Sequence, residues 1–119
     1  MLSIKSPARL DYTVVQGNSF QDSFTLKVNG AAYDLTDHKA RLQGKVNVSD
    51  TEFTIDLSTD NSKLTLGGGT GLVTYGETPA NVRAWGTEPI EYQFELEDAG
   101  GNVQTFFVGV ITPIVEIAL

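Results

Sequence analysis

The chain has 119 residues and 12.8 kDa, 40% of them apolar and 19% charged, enough for one hydrophobic core and too apolar to stay disordered. It contains no cysteine, which excludes disulfides, thiol nucleophiles and thiolate metal sites together. The formal charge of -7 falls mostly on residues 61–119, with two Lys/Arg against seven Asp/Glu, so no nucleic-acid partner is expected.

The opening MLSIKSPARLDY lacks the long apolar core of an export signal. No apolar run approaches the ~18 residues of a membrane span, so no membrane partner is expected either. Leu2 and Ile4 precede Pro7 and suit an edge strand on a neighbouring subunit, which makes residues 1–10 a candidate docking arm. Gln16-Gly17-Asn18 marks a turn. Beyond it a strand runs from Phe20 to Val28, with Phe24, Leu26 and Val28 alternating against Thr25 and Lys27.

Asn29-Gly30 then opens the stretch NGAAYDLTD, residues 29–37, where two readings compete. Asp34, Asp37 and the sole histidine, His38, have the chemistry of metal ligands. Three neighbours in sequence do not by themselves converge in space, and no Asp-x-Asp-x-Asp-Gly spacing is present. The architectural reading accounts for more: Tyr33 and Leu35 anchor the segment to the core, while Asp34 and Thr36 bond nearby backbone. No metal and no cofactor are expected.

Further along, Phe53, Ile55 and Leu57 alternate with Glu52, Thr54 and Asp56, predicting a strand over 52–57 with all three apolar residues inward. Leu64 and Leu66 flank Thr65, and Val73 and Tyr75 flank Thr74. The Gly67-Gly68-Gly69-Thr70-Gly71 run between them lacks the lysine and helix of a phosphate loop and is expected to be a hairpin turn. Thr78-Pro79-Ala80 through Gly86 has an N-cap hydroxyl, proline at the first helical position and a terminal glycine, predicting one or two helical turns. Val82 and Trp85 stand three apart and both point inward, with Trp85 a core plug rather than a ligand-stacking platform. Tyr92, Phe94 and Leu96 alternate with four polar residues from Glu91 to Glu97, and Asp98 to Asn102 closes a hairpin to the Phe106 strand.

The pattern is all-β: an immunoglobulin-like antiparallel β-sandwich, one domain over 1–119, with one short helical crossover near residues 78–85. A serine triad would have to use His38, and no Gly-x-Ser-x-Gly elbow exists; Glu91, Glu95 and Glu97 share one solvated face rather than a cleft. No enzymatic reaction is expected. A ligand-binding sandwich would need exposed aromatics, for which Tyr12, Tyr75 and Trp85 are the candidates.

The last strand differs from the others. In FFVGVITPIVEIA, residues 106–118, Phe106, Val108 and Val110 fall on one face and Phe107 and Ile111 on the other. A strand apolar on both faces is central or covered by a partner. Pro113 should break the ladder, freeing 113–119, with Ile114, Val115 and Ile117, to dock on a neighbour or to fold back. Candidate protein contacts are therefore Leu2, Ile4, Phe106, Val108, Val110, Ile114, Val115 and Ile117.

The order of signals resembles a small β-sandwich module of tailed-bacteriophage virion proteins, similar to the N-terminal domain of phage baseplate upper proteins. It comprises Gln16-Gly17-Asn18-Ser19-Phe20, Asn29-Gly30 with Tyr33-Asp34-Leu35-Thr36, and Lys39-Ala40-Arg41-Leu42-Gln43. The Thr78-Pro79-Ala80 crossover, Tyr92-x-Phe94-x-Leu96 and Gly100-Gly101-Asn102 follow, so that residues 12 to 112 are covered. The resemblance implies a structural virion component made in the bacterial host cytoplasm and held by other virion proteins, as a homo-oligomer. Where such modules run on into fibre regions this chain stops at Leu119, which favours an adaptor subunit of the tail, baseplate or fibre region. Head decoration (capsid stabilisation) and a carbohydrate-binding sandwich are the alternatives.

Overall fold

Residues 7–117 are described by the computed structural model. Among them lie β1 (Ala8–Arg9), β2 (Tyr12–Val15), β3 (Phe20–Thr25), β4 (Lys27–Val28), β5 (Ala31–Ala32), β6 (Lys39–Lys45) and β7 (Ile55–Ser58). After these come β8 (Leu64–Leu66), β9 (Leu72–Glu77), α1 (Pro79–Arg83), β10 (Ile90–Glu97) and β11 (Val103–Ile114). One sheet runs β7-β6-β10-β11, with β1 and β2 lying in succession and parallel along the free side of β11. The other is the antiparallel trio β3-β9-β8. Two packed sheets with these connections make an immunoglobulin-like sandwich.

Period-two alternation fixes which faces meet. Ala40, Leu42 and Gly44 of β6 and Ile90, Tyr92, Phe94 and Leu96 of β10 are all buried, and the intervening residues face out. The centre is aromatic. Phe24 meets Phe94, Phe107 and Tyr75 edge-on at centroid distances of 5.5, 5.6 and 6.4 Å, while Phe94 lies flat on Phe107 at 4.9 Å.

Turns obey backbone sterics. Asn29 and Gly30 take φ of 53° and 81°, the pair of left-handed residues that a two-residue β4–β5 hairpin demands. The following segment then crosses between the sheets: Leu35 is buried, its amide donates to Gly68 O at 2.9 Å, and the Tyr33 amide donates to Leu26 O at 2.9 Å. α1 begins as expected, with Thr78 Oγ1 accepting from the Asn81 amide at 3.3 Å and Pro79 first in the helix. Val82 and Trp85 are both buried, Trp85 standing 5.7 Å from the Phe20 ring.

At the start of the sandwich one passage is exceptionally tight. Between β1 and β2 the backbone of Leu10 crosses over Gly109, where a Cβ would run into the Leu10 carbonyl oxygen and lie 2.7 Å from its carbon. Three bonds pin the crossing: Leu10 N–H to Val108 O at 2.9 Å, Val110 N–H to Asp11 Oδ1 at 2.9 Å, and Tyr92 O–H to Leu10 O at 2.6 Å. Nearby, Tyr12 donates to Asp22 Oδ2 at 2.5 Å, so the Tyr75 hydroxyl, 2.6 Å away, donates to Tyr12. This polar chain links the two sheets, which no ladder joins among the described residues.

Three sequence expectations are corrected. Phe53 is not a core residue: β7 starts at Ile55, and Phe53 sits outside it, 46% exposed, under the Lys45 ammonium at 5.2 Å. Phe106 does not share the outward face of Val108 and Val110. A register shift between Phe94 and Glu95 leaves Phe106 as the extra residue of a bulge, which turns it inward, 6.4 Å from Phe94, beside the buried Phe107. Pro113 does not end the ladder. β10 stops opposite Ile111, so the missing N–H faces no β10 partner, while β2 still pairs Pro113 with Val14 and Gln16 N–H bonds Ile114 O at 2.9 Å.

Candidate protein-docking face

The outward residues of the larger sheet form the candidate site. On β10 these are Glu91, Gln93, Glu95 and Glu97; opposite them on β6 stand Lys45, Gln43, Arg41 and Lys39. One central strand is thus acidic and its neighbour basic, row against row. The Arg41 guanidinium donates to Glu95 Oε1 at 3.0 Å and to Glu97 Oε1 at 3.3 Å, and Gln43 Nε2 donates to Asp56 Oδ1 at 2.9 Å. Among the described residues, Lys45 and Glu91 make no ion pair although they face each other across the ladder.

Apolar flanks border this charged centre. On one side Val108 and Val110 of β11 lie half-buried beside Arg9; on the other Val48, 82% exposed, and Phe53 rise from the β6–β7 connection. Between the flanks runs an open groove of about 590 Å³ floored by Gln43, Gln93, Glu91 and Glu95. Its lining carries Arg9 and Lys45 against Glu91 and Glu95, so it is charge-balanced on a chain of formal charge -7. Chemically it offers shape, apolar contact and amide hydrogen bonding.

The sequence-predicted contacts are scattered by the fold. Val108 and Val110 reach this face; Phe106 is in the core. Ile114, Val115 and Ile117 are exposed at the end of β11, away from the groove, where Glu116 between them accepts from Arg83 Nε at 3.0 Å and Nη2 at 3.2 Å. That ion pair turns the segment back onto α1. Leu2 and Ile4 lie outside the described residues. Sequence reading missed Phe53, Val48 and Lys45 as surface partners; the signal was the acid row of β10 set against the basic row of KARLQGK.

The Asp34–His38 cluster is backbone chemistry. Asp34 Oδ1 accepts from the Thr36 hydroxyl at 2.6 Å and its amide at 2.9 Å; the Thr36 bonds, with a smaller contribution from His38, hold the carboxyl below the usual range. His38 Nδ1 lies 2.9 Å from Thr36 O, so it carries the proton, leaving Nε2 to face the Tyr33 hydroxyl at 3.4 Å. Among the described residues no three His, Asp or Glu side chains converge as a metal site, and no helix is long and apolar enough to cross a membrane. Tyr75 and Trp85 are buried, and Tyr12 is half-buried with its hydroxyl engaged, so none of the three forms an exposed platform.

No family model matches the chain, and a search of curated proteins finds no relative. Solved structures do share the architecture. The N-terminal domain of phage TP901-1 ORF48 superposes with a TM-score of 0.51 at 14% identity, over 94% of this chain and 91% of that one. An extracellular domain of the voltage-gated sodium channel beta4 subunit, described as a parallel homodimer, aligns over 98% and 100% at 12% identity with a TM-score of 0.47. A domain of the ZIG-8–RIG-5 IG1–IG1 heterodimer aligns over 96% and 90% at 12% identity, also with a TM-score of 0.47. At 14% identity the likeness to the phage domain is one of fold.

Proposed function

We propose that the protein is a non-enzymatic structural subunit of a tailed-phage virion, an adaptor of the tail, baseplate or fibre region held in place by protein–protein contacts. The observation that carries this reading is the fold shared with a phage protein's N-terminal domain across nearly the whole chain. It coincides with the order of motifs from Gln16 to Asn102 that resembles phage baseplate modules. The larger sheet's outer face supplies the physical means: an exposed, charge-balanced groove with apolar flanks, as protein contacts use. The carbohydrate alternative loses support because Tyr75 and Trp85 fill the core. Gold-labelled antibody microscopy on particles of the source phage tests the reading. Label at the tail tip or fibres is the expected result, and label over the head assigns decoration instead. Unlabelled particles, with the protein only in the lysate, refute it.

A further inference from the structure

The geometry points to a second copy of this chain as the partner on the outer face of the larger sheet, paired through a two-fold axis that runs along the β6–β10 boundary. This deepens the docking reading above and rests on that face being a contact surface. The argument is one of register. Glu91 stands opposite Lys45, Gln93 opposite Gln43, Glu95 opposite Arg41 and Glu97 opposite Lys39. Rotation about an axis lying in the interface between these strands lays β10 of one copy over β6 of the other. Every row is then matched: Glu91 over Lys45 twice, and the two glutamines over each other. The isologous contact is self-complementary, as a closed dimer requires.

The flanks agree with the same axis. β11 and β7 lie on opposite sides of the central pair, so rotation brings the trough beside Val108 and Val110 of one copy under the Val48–Phe53 rise of the other. Packed sheets cross at roughly 30°, so the axis sits about 15° from the strands, which keeps the central rows in register. Charge selects this occupant over a strongly charged one. Two chains of formal charge -7 repel, and the groove, with two cations and two anions, is a place where like copies meet without net repulsion. Lys45 and Glu91, which make no ion pair among the described residues, both gain a partner.

Size sets the strength. Five strands at ~4.8 Å spacing give a face ~24 Å wide, and six residues of β10 run ~20 Å, or roughly 500 Å² per copy. The total of about 1,000 Å² lies under the ~1,200 Å² of stable interfaces, so a weak, reversible dimer is expected.

Sedimentation velocity of the whole chain from about 1 to 500 µM reads this directly. The expected result is a concentration-dependent dimer that K45E and E91K each weaken at least about tenfold, with unchanged near-ultraviolet circular dichroism. Mixing the two variants should restore pairing, because the K45E copy then lays acids at both positions over the bases that the E91K copy carries at both. Val48→Asp, on the exposed rise and away from the core, should weaken the dimer as well. A protein monomeric throughout, or a dimer indifferent to all three changes, overturns the inference. A monomer that still labels tails discards the self-pairing and keeps the virion reading; a charge-switched dimer with unlabelled particles does the reverse.

Discussion

Gly109 tests the edge of the sandwich most sharply, because it fails for one reason only. Its φ is not positive, so Gly109→Ala adds no backbone strain; the added methyl simply meets the Leu10 carbonyl. Backbone cannot rotate away as a side-chain tip can, so the β1–β2 crossing must lift. Overpacking of this kind costs about 1–3 kcal/mol. Lifting also loosens the three bonds that pin the crossing, at about 1 kcal/mol each. Urea unfolding should therefore report a loss of about 4–6 kcal/mol. Gly30→Ala is the control: nothing lies within 4 Å of its Cβ, and its φ of 81° costs only the left-handed penalty of about 1–2 kcal/mol. A cycle with Tyr92→Phe adds a second reading. Deleting the hydroxyl that bonds Leu10 should cost about 1 kcal/mol in the natural chain and almost nothing once Gly109→Ala has moved Leu10. Hydrogen exchange should show the Leu10 and Val110 amides losing protection while Leu42 and Phe94 keep theirs. A Gly109→Ala loss under about 1 kcal/mol, or full additivity with Tyr92→Phe, refutes the crossing as described.

Phe94→Ala, at the centre of the aromatic cluster, should cost about 3–5 kcal/mol, whereas Phe53→Ala should cost under about 1 kcal/mol; equal losses would return Phe53 to the core. Glu77 is nearly buried and accepts from Lys63 Nζ at 2.7 Å, Asn81 Nδ2 at 2.8 Å and the Thr78 amide at 2.9 Å. Burial pushes its carboxyl up, but these bonds more than offset that and leave it below the usual range. Its contribution is thus complete above the unfolded carboxyl value of about 4.3 and fades as pH falls through the lower folded value. Glu77→Gln should cost about 1–3 kcal/mol at neutral pH and flatten the acid limb of the stability curve, read from thermal melts across roughly pH 2–7. At high pH the sign reverses. Burial raises the Tyr12 and Tyr92 hydroxyls and pushes Tyr75 up to about 12, so the unfolded chain releases these protons first. Stability should be whole below about pH 10 and decline above it; in a Tyr33→Phe background, which leaves these three hydroxyls alone, tyrosinate absorbance should rise only as the protein unfolds, and early ionisation there would contradict the buried chain.

Most of the sandwich was legible because strand alternation is a local property. EYQFELE and KARLQGK declare their inner faces outright, and NG, DAGGN and TPA announce their turns through backbone sterics that depend on few neighbours. What escaped was set by position in the sheet. Phe53 continues the period of Ile55 and Leu57, yet the strand begins two residues later, because β6 leaves it no partner. Phe106 has the right period for the surface, but a bulge opposite Phe94 changes the count, and nothing in FFVGV marks it. Pro113 is a breaker only where both sides of a strand are paired, and β10 had already ended. The candidate docking face was half visible: Val108 and Val110 carried the signal, while the matching of acid to base across β10 and β6 needed the register.

The aromatic centre also bears on how the chain is made. Phe24 and Phe94 face each other across the two sheets with ring centroids 5.5 Å apart, joining sheets that antibody domains join with a disulfide. Three edge-on ring contacts around Phe24, each contributing about 0.5–1.5 kcal/mol, rival the roughly 2–4 kcal/mol of such a crosslink. Closing this sandwich therefore needs no oxidant and no disulfide isomerase. Reductant leaves the fold untouched, and the sandwich is complete once β11 has closed over the rings.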